Sequence, residues 1–252
     1  MELKDKVVIV TGAAKGLGRQ FALACAENGM KVALSDINDE ALEKTRKECE
    51  DKGVEARGYE LNVTQESNVE AVYSQVVRDF GTLDATINNA GILRDGLLVK
   101  VKDGNVQKFS MSKWQAVIDT NLTGVFLCAR EAAANFLELK KPGAIINIAS
   151  VARSGNFGQS NYSAAKAGVS AMTVLWAQEL AQHGIRVAAI APGFTATEMV
   201  VSLRDDIKEN FIKSIPLRRF AEPSEMSDGA LFILKNDYYS GRVLEIDGGV
   251  RI

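Results

Sequence analysis

The first 36 residues constrain the fold most, because they form a strand–helix–strand pattern opened by a glycine-rich turn. Lys6–Thr11 is a short apolar run rich in β-branched residues, typical of a strand buried on both faces. It leads directly into Gly12–Gly18, and a helical pattern continues to Gly29. Because Lys31–Asp36 predicts a second strand, the chain opens on a βαβ unit.

The glycine turn has the spacing G-x-x-x-G-x-G, with Gly12, Gly16 and Gly18 between the predicted strand and helix and with Lys15 and Leu17 among them. Glycines let the backbone approach a pyrophosphate, and a helix N-terminus offers free N–H groups and a positive dipole end. A tight connection without a ligand is the plainer alternative. The place of the turn in a βαβ unit favours dinucleotide binding.

Asp36 ends the second strand, 18 residues after Gly18. A carboxylate there can accept hydrogen bonds from both hydroxyls of an adenine ribose and repels a 2′-phosphate. It therefore predicts NAD(H) rather than NADP(H) as the cofactor. Lys15 argues the other way if it meets that phosphate, and argues nothing if it is solvated. The repulsive carboxylate is the stronger selector.

The alternation of strands and helices continues to the end of the chain. Strands are predicted at Val54–Leu61, Leu83–Asn88, Gly143–Ser150, Ile185–Ala191 and Arg242–Asp247. Helices are predicted at Asn38–Lys52, Thr64–Phe80 with Thr64 as N-cap, from Ser112 onward through Asn121, Asn161–Gln182 and Pro223–Leu234. This order predicts one α/β domain over residues 1–252, a doubly wound parallel sheet with helices on both faces.

Two segments break that rhythm. Residues 97–110 alternate apolar and polar side chains across Asp103-Gly104, which predicts a hairpin that caps the site, forms a subunit contact or is a surface loop. Residues 194–216 are amphipathic and suit a lid over a substrate. Their apolar side chains could equally belong to the core or to subunit contacts: Phe194, Met199, Leu203, Phe211 and Ile212.

Composition narrows the choice of partners and compartment. A net charge of −2 gives no reason to expect nucleic acid or an anionic membrane, and no apolar run has transmembrane length. Cys25, Cys49 and Cys128 are scattered and no signal-peptide layout is present, which favours the cytoplasm. With His183 as the only histidine, no metal site and no histidine base are expected.

Tyr162 and Lys166 are four residues apart on a predicted helix, so they share one face. An ammonium about 4 Å away, at an effective dielectric of about 20, stabilises a phenolate by roughly 4 kcal/mol, or about three pKa units. The pair could therefore exchange protons near neutral pH. Alone it is weak evidence, since such a spacing is also common on protein surfaces. Ser150 ends a predicted strand, at the edge where open α/β sheets bind ligands.

In combination, these motifs resemble those of the short-chain dehydrogenases/reductases over nearly the whole chain. The resemblance rests on Thr11-Gly12-x-x-x-Gly16-x-Gly18, Asn88-Asn89-Ala90-Gly91, Asn121, Ser150, Tyr162-x-x-x-Lys166 and Pro192-Gly193-x-x-x-Thr197. It implies a seven-stranded parallel sheet and an enzyme that transfers hydride between NAD(P) and a carbonyl or secondary alcohol. It also implies a homotetramer, with a dimer as the alternative.

The resemblance also implies roles for individual residues. Tyr162 would be the general acid/base, Ser150 would bind the substrate carbonyl, Lys166 would bind the nicotinamide ribose and lower the tyrosine pKa, and Asn121 would hold a relay water. Thr197 would hold the nicotinamide carboxamide. The residues expected around the cofactor are Gly12, Lys15, Gly16, Leu17, Gly18, Asp36, Asn62, Val63, Asn89, Ala90, Gly91, Tyr162, Lys166, Pro192, Gly193, Thr195 and Thr197.

Within the family, the chain is most similar to the 3-oxoacyl-[acyl-carrier-protein] reductases, on Gly91–Leu98, Ile118–Val125 and Ala191–Phe194. This implies reduction of a 3-oxoacyl thioester. Those enzymes mostly use NADPH, which Asp36 opposes, and the end of the Tyr162 helix lacks the expected carrier-docking cations. The alternatives are an NAD-dependent dehydrogenase of another secondary alcohol, such as a small hydroxy compound, a sugar or a steroid-like molecule, and a non-catalytic dinucleotide-binding regulator.

Overall fold

The computed structural model describes residues 1–202 and 204–251, and only the backbone at residues 199 and 201. Seven strands form its main sheet: β1 Val7–Thr11, β2 Lys31–Asp36, β3 Ala56–Glu60, β4 Ala85–Asn88, β7 Gly143–Ile148, β8 Ile185–Pro192 and β9 Val243–Ile246. All neighbouring pairs are parallel, in the order β3-β2-β1-β4-β7-β8-β9. The order reverses between β1 and β4, so a crevice for a ligand opens at their carboxyl ends. The predicted fold class is confirmed.

Nine helices of the described residues accompany the strands: α1 Gly16–Glu27, α2 Asp39–Glu50, α3 Glu66–Phe80, α4 Met111–Ile118, α5 Gly124–Glu138, α6 Ser160–Leu180, α7 Glu198–Val201, α8 Asp205–Ser214 and α9 Pro223–Lys235. The alternating side chains of β1 show how both faces of the sheet are covered. Val8 and Val10 pack with α1, α2 and α9, whereas Val7 and Ile9 pack with α3, α5 and α6. Since β1 is buried on both faces, it has no polar alternation.

The start of α3 differs from the prediction. The helix begins at Glu66 with Gln65 as its N-cap residue, so the prediction that Thr64 caps it is wrong. Thr64 instead donates its backbone N–H and its hydroxyl to Asn62 Oδ1, at 3.1 and 2.8 Å. This local turn after β3 competes with the helix for the threonine side chain.

The predicted hairpin is confirmed. β5 Val99–Lys102 and β6 Asn105–Lys108 pair antiparallel, with Val101 opposite Val106. Asp103 and Gly104 have φ of 52° and 76°, as a two-residue type I′ turn requires. Both strands are exposed on both faces, so the hairpin projects from the domain.

The segment predicted as a lid is helical. It contains α7 and α8, and the Phe194 ring lies against the Phe211 ring with centroids 4.8 Å apart. Ile212 is half-buried, whereas Leu203 and the side chain of Met199 lie outside the described residues. In the described part of the chain, no helix has the length and apolar character needed to span a bilayer.

Candidate active site

The glycine turn leaves the N-terminus of α1 open to an anion. Lys15 is the N-cap residue, its side chain makes no capping hydrogen bond, and the first turn contains no acid. A Cβ on Gly18 would lie 2.0 Å from the Gly12 carbonyl oxygen, so only glycine lets the helix approach the turn so closely. Gly16 has a φ of 57°, and a Cβ there would meet nothing within 4 Å. The geometry therefore fits a pyrophosphate bound by free backbone N–H groups.

Asp36 lies beside this turn at the end of β2. Its Oδ2 accepts the Ala14 N–H at 3.1 Å and its Oδ1 accepts the Asn38 N–H at 3.0 Å. These bonds fix the carboxylate where the ribose of a nucleotide on the glycine turn would lie. Lys15 is exposed, and Leu17 packs partly against the core.

The loops after β3 and β4 form the floor of the crevice. The Thr11 hydroxyl accepts the N–H groups of both Asn89 and Ala90 at 3.0 Å, and the Asn89 amide donates to the Thr11 carbonyl at 3.0 Å. Val63 is buried against Gly124 at the start of α5. Thr11 was recognised only as part of a motif, and the structure shows that it joins the glycine turn to the β4 loop.

Asn121 lies in a π-helical turn, Asp119–Thr123, between α4 and α5. Its side chain is fully buried. Oδ1 accepts the Ile92 N–H at 2.8 Å and Nδ2 donates to the Ile92 carbonyl at 2.9 Å. Both polar atoms of the amide therefore hold the loop that follows Gly91. A relay water at Asn121 stays a prediction.

Ser150, Tyr162 and Lys166 come together at the carboxyl edge of the sheet. Ser150 follows β7, and its hydroxyl lies near the Tyr162 phenol, where it favours the phenolate and so acts to lower the tyrosine pKa. Lys166, one turn after Tyr162 on α6, has its Nζ 5.6 Å from the centroid of the tyrosine ring. That Nζ donates to the Ile148 carbonyl at 2.6 Å. The strand that precedes Ser150 therefore also orients the lysine.

Burial is the largest influence on the pKa values of both Tyr162 and Lys166. It raises the pKa of Tyr162, the neighbouring Ser150 hydroxyl opposes that rise, and the charge of Asp95 adds to it. Burial also lowers the pKa of Lys166 to about 8. The net direction for Tyr162 is opposite to the predicted lowering by Lys166. The ammonium is itself desolvated and is directed to a backbone carbonyl, so its effect on the phenol is smaller than the effect of burial.

The loop after β8 forms the opposite wall. The Gly193 N–H donates to the Ile246 carbonyl at 2.9 Å, which joins the end of β8, at Pro192, to β9. Thr195 is buried and its hydroxyl donates to the Gly193 carbonyl at 3.3 Å. Thr197 immediately precedes α7 and is only partly buried, which leaves it open to a ligand.

Asn161 is a site residue that sequence reasoning missed. It is fully buried beside Tyr162, and its amide donates to the carbonyls of Arg94 at 3.2 Å and Lys113 at 3.0 Å. Its Oδ1 accepts the Tyr162 N–H at 2.8 Å. The only signal in the sequence was its place next to the tyrosine.

A cavity of about 400 Å³ lies between the loop that precedes α6, helix α8 and the C-terminal segment. Its wall is half apolar and half polar, and it consists of Phe194, Ile207, Phe211, Val250, Asn156, Asn210, Ser214 and Arg251. A concave site that combines apolar side chains with polar groups can hold a small molecule.

An open helix N-terminus at a glycine turn, a carboxylate at the end of β2 and a partly exposed Ser–Tyr pair beside a buried lysine define a nicotinamide-dependent oxidoreductase on a doubly wound sheet. The sequence model of the family described as short chain dehydrogenase matches residues 6–208. The chain belongs to this family, and it is an oxidoreductase that acts on CH–OH groups.

Individual relatives match this chain over nearly its full length. A 3-oxoacyl-[acyl-carrier-protein] reductase of Thermotoga maritima is 40% identical, with all of both chains covered. One of Staphylococcus aureus is 41% identical, covering 97% of this chain and 98% of the relative. A short-chain type dehydrogenase/reductase from Mycobacterium marinum superimposes with a TM-score of 0.90 at 33% identity, covering 98% of this chain and 96% of that one.

Proposed function

We propose that the protein reduces a 3-oxoacyl thioester to the 3-hydroxyacyl thioester with NADH. The observation that carries the proposal is that the Ser150 and Tyr162 hydroxyls lie near each other at the edge of the sheet where ligands bind, with Lys166 one turn further along the tyrosine helix. A reducible carbonyl oxygen needs one hydrogen-bond donor and one proton donor, and this pair supplies both. The names of the relatives support the thioester as substrate.

In the reducing direction, Tyr162 donates its phenolic proton to the carbonyl oxygen as the carbon accepts a hydride. Since burial holds the pKa of Tyr162 above its usual value, the phenol is protonated at neutral pH and ready to act as an acid. Ser150 donates a hydrogen bond to the oxygen as it becomes negative. The nicotinamide, when bound, supplies the hydride. Oxidation of an alcohol uses the same groups in reverse.

Lys166 and Asn121 serve as supports for this step. Nζ of Lys166 keeps one hydrogen bond to the Ile148 carbonyl and has further donors for a ribose hydroxyl. Asn121 fixes the backbone of Ile92, which follows the Ala90-Gly91 turn that lines the cofactor crevice. Thr197, at the open start of α7, is assigned to the carboxamide.

Asp36 supports NAD(H) over NADP(H). Its two oxygens are held at the ribose position by two backbone N–H groups, so it cannot turn away from a 2′-phosphate without breaking them. The repulsion disfavours NADPH. Lys15 is exposed and can move, which makes it the weaker influence.

The assembly that we propose is a homotetramer in the cytoplasm. Exposed apolar side chains lie along α5 and α6, including Phe126 and Leu175, and Phe126 packs against Trp176 with ring centroids 6.4 Å apart. An apolar face of this kind favours burial against a second copy. Three free, buried cysteines suit a reducing compartment.

Initial rates with acetoacetyl-CoA, measured with NADH and with NADPH separately, test the proposal. We expect turnover with NADH that is lost in Tyr162→Phe while NADH binding is retained. Turnover mainly with NADPH would refute the role of Asp36. Tight NADH binding without turnover of the thioester would refute the substrate and would favour another secondary alcohol.

A further inference from the structure

One charged segment has no role in the candidate active site described above. Residues 94–113, called the basic arm below, include the hairpin and its two ends. They carry five cations against two carboxylates, although the whole chain has a net charge of −2. The five cations are exposed, and none of them forms an ion pair with the residues that the structure describes: Arg94, Lys100, Lys102, Lys108 and Lys113.

Other basic side chains of the surface are commonly paired within the chain. Arg46 contacts Glu43 and Glu50, and Arg130 contacts Glu66 and Glu70. Unpaired cations concentrated on one projecting ribbon create a local positive potential on a weakly acidic protein. Such a potential favours an anionic partner.

The register of the hairpin separates its two faces. Lys100 pairs with Gln107 and Lys102 with Asn105, so these four side chains form one face, called the lysine face below. Val99, Val101, Val106 and Lys108 lie on the other. The lysine face contains two ammonium groups, two amides and no carboxylate, so it offers a partner many hydrogen-bond donors.

The base of the arm is attached beside Tyr162. The Gly96 N–H donates to the Gly158 carbonyl at 2.8 Å, and Gln159 Nε2 donates to Asp95 Oδ2 at 2.9 Å. Asn161 holds the carbonyls at both ends, as described above. Four residues at about 3.3 Å each extend the strands roughly 13 Å from this base. A protein bound to the arm would therefore stand at the entrance to the site.

The end of α6 offers no comparable charge. Its last turn contains no basic residue and does contain Glu179, and Gln182 and His183 follow in the next turn. A carrier protein that needs cations beside the site would find them on the arm and not at this helix end.

We propose that the lysine face of the basic arm is the docking surface for an acidic carrier protein that presents the 3-oxoacyl thioester. The inference rests on the proposed function and adds to it the partner and the place where it binds. Charge complementarity accelerates association and weakens with salt, so the arm acts on the encounter with the carrier and leaves the chemical step to Ser150 and Tyr162.

The test compares two substrates that have the same acyl group, one attached to a carrier protein and one attached to a small neutral thiol. Wild type and Lys100→Glu/Lys102→Glu are assayed with acetoacetyl-acyl carrier protein and with the neutral thioester acetoacetyl-N-acetylcysteamine. The matched control is Lys4→Glu/Lys140→Glu, which makes the same change of charge at exposed positions next to the amino ends of the strands. All of these substitutions are on the surface, and circular dichroism checks that the variants fold.

We expect the arm variant to lose about tenfold in kcat/KM with the carrier substrate at low salt, while its rate with the neutral thioester and the control variant stay unchanged. The loss should shrink at high salt. Equal losses on both substrates, or no loss with the carrier, would overturn the proposal. A change in oligomeric mass on reversing the charges would identify the arm as a subunit contact and would also overturn it. Wild type that reduces neither substrate would refute the proposed function itself, which is a separate outcome.

Discussion

Replacing Lys166 by methionine should stabilise the folded protein near neutral pH even though it damages the site. The lysine is 3% exposed, and burial lowers its pKa from 10.5 to about 8. At about 1.4 kcal/mol per pKa unit, the folded state of wild type loses about 3 kcal/mol when this lysine is charged. Methionine removes that loss but leaves the Ile148 carbonyl without its partner, which costs about 1 kcal/mol. The expected net gain at pH 7 is about 2 kcal/mol.

The pH dependence has a definite sign. Below pH 8 the lysine is charged in both the folded and the unfolded state, so wild type bears the full loss. Between pH 8 and 10.5 the folded lysine is neutral while the unfolded one still binds a proton, so the free energy of unfolding of wild type rises with pH. Above 10.5 the loss has disappeared, and wild type should equal or exceed the variant.

Urea unfolding of wild type and Lys166→Met at fixed protein concentration, from pH 7 to pH 10.5, measures this difference. Lys44→Met replaces an exposed lysine in α2 and serves as the control, with no pH-dependent difference expected. A variant that is less stable than wild type at pH 7 by an amount that does not change with pH would refute the reasoning about burial. Activity of Lys166→Met is expected to fall, because the ribose and the tyrosine lose their support.

Three further changes test separate parts of the site. Asp36→Ser removes the repulsive carboxylate and should raise the ratio of kcat/KM with NADPH to that with NADH by at least about tenfold; an unchanged ratio in steady-state rates would show that Asp36 does not select the cofactor. Gly18→Ala places a Cβ 2.0 Å from the Gly12 carbonyl oxygen, so NADH titrations should show a loss of binding of more than about tenfold and thermal melts a destabilisation of about 1–3 kcal/mol; wild-type affinity would contradict the close packing. Asn161→Ala leaves the carbonyls of Arg94 and Lys113 and the N–H of Tyr162 without this side chain, and should lower stability by about 2–4 kcal/mol and kcat more than the affinity for NADH; a purely structural role would leave kcat of the remaining folded enzyme unchanged.

Patterns of residues close together in the sequence predicted most of the fold. The apolar run of β1, the glycine turn and the Asp103-Gly104 hairpin are each specified by residues adjacent in sequence, and the structure has all three as predicted. The prediction for the N-cap of α3 failed because the Thr64 side chain can either cap the helix or hydrogen-bond to Asn62. Only the position of Asn62 in the folded chain decides between the two.

Features that depend on distant partners were beyond the sequence pattern. No protein partner of Asn121 or Asn161 could be inferred from the sequence, and each binds backbone from another loop. The direction of the Tyr162 pKa was also mispredicted, because a pairwise argument about Lys166 omits the burial of both groups. Contacts within four residues can be inferred from spacing, but desolvation is a property of the folded whole.

Product analysis tests most directly whether the Ser150–Tyr162 pair catalyses the reduction of a 3-oxoacyl thioester. Acetoacetyl-CoA is incubated with NADH and with wild type, Tyr162→Phe or Ser150→Ala, and the acyl product is identified by mass spectrometry. We expect 3-hydroxybutyryl-CoA from wild type and at most traces from either variant, with NADH binding intact in both. Formation of the hydroxyacyl product by Tyr162→Phe at the wild-type rate would contradict the role of this pair in the reduction.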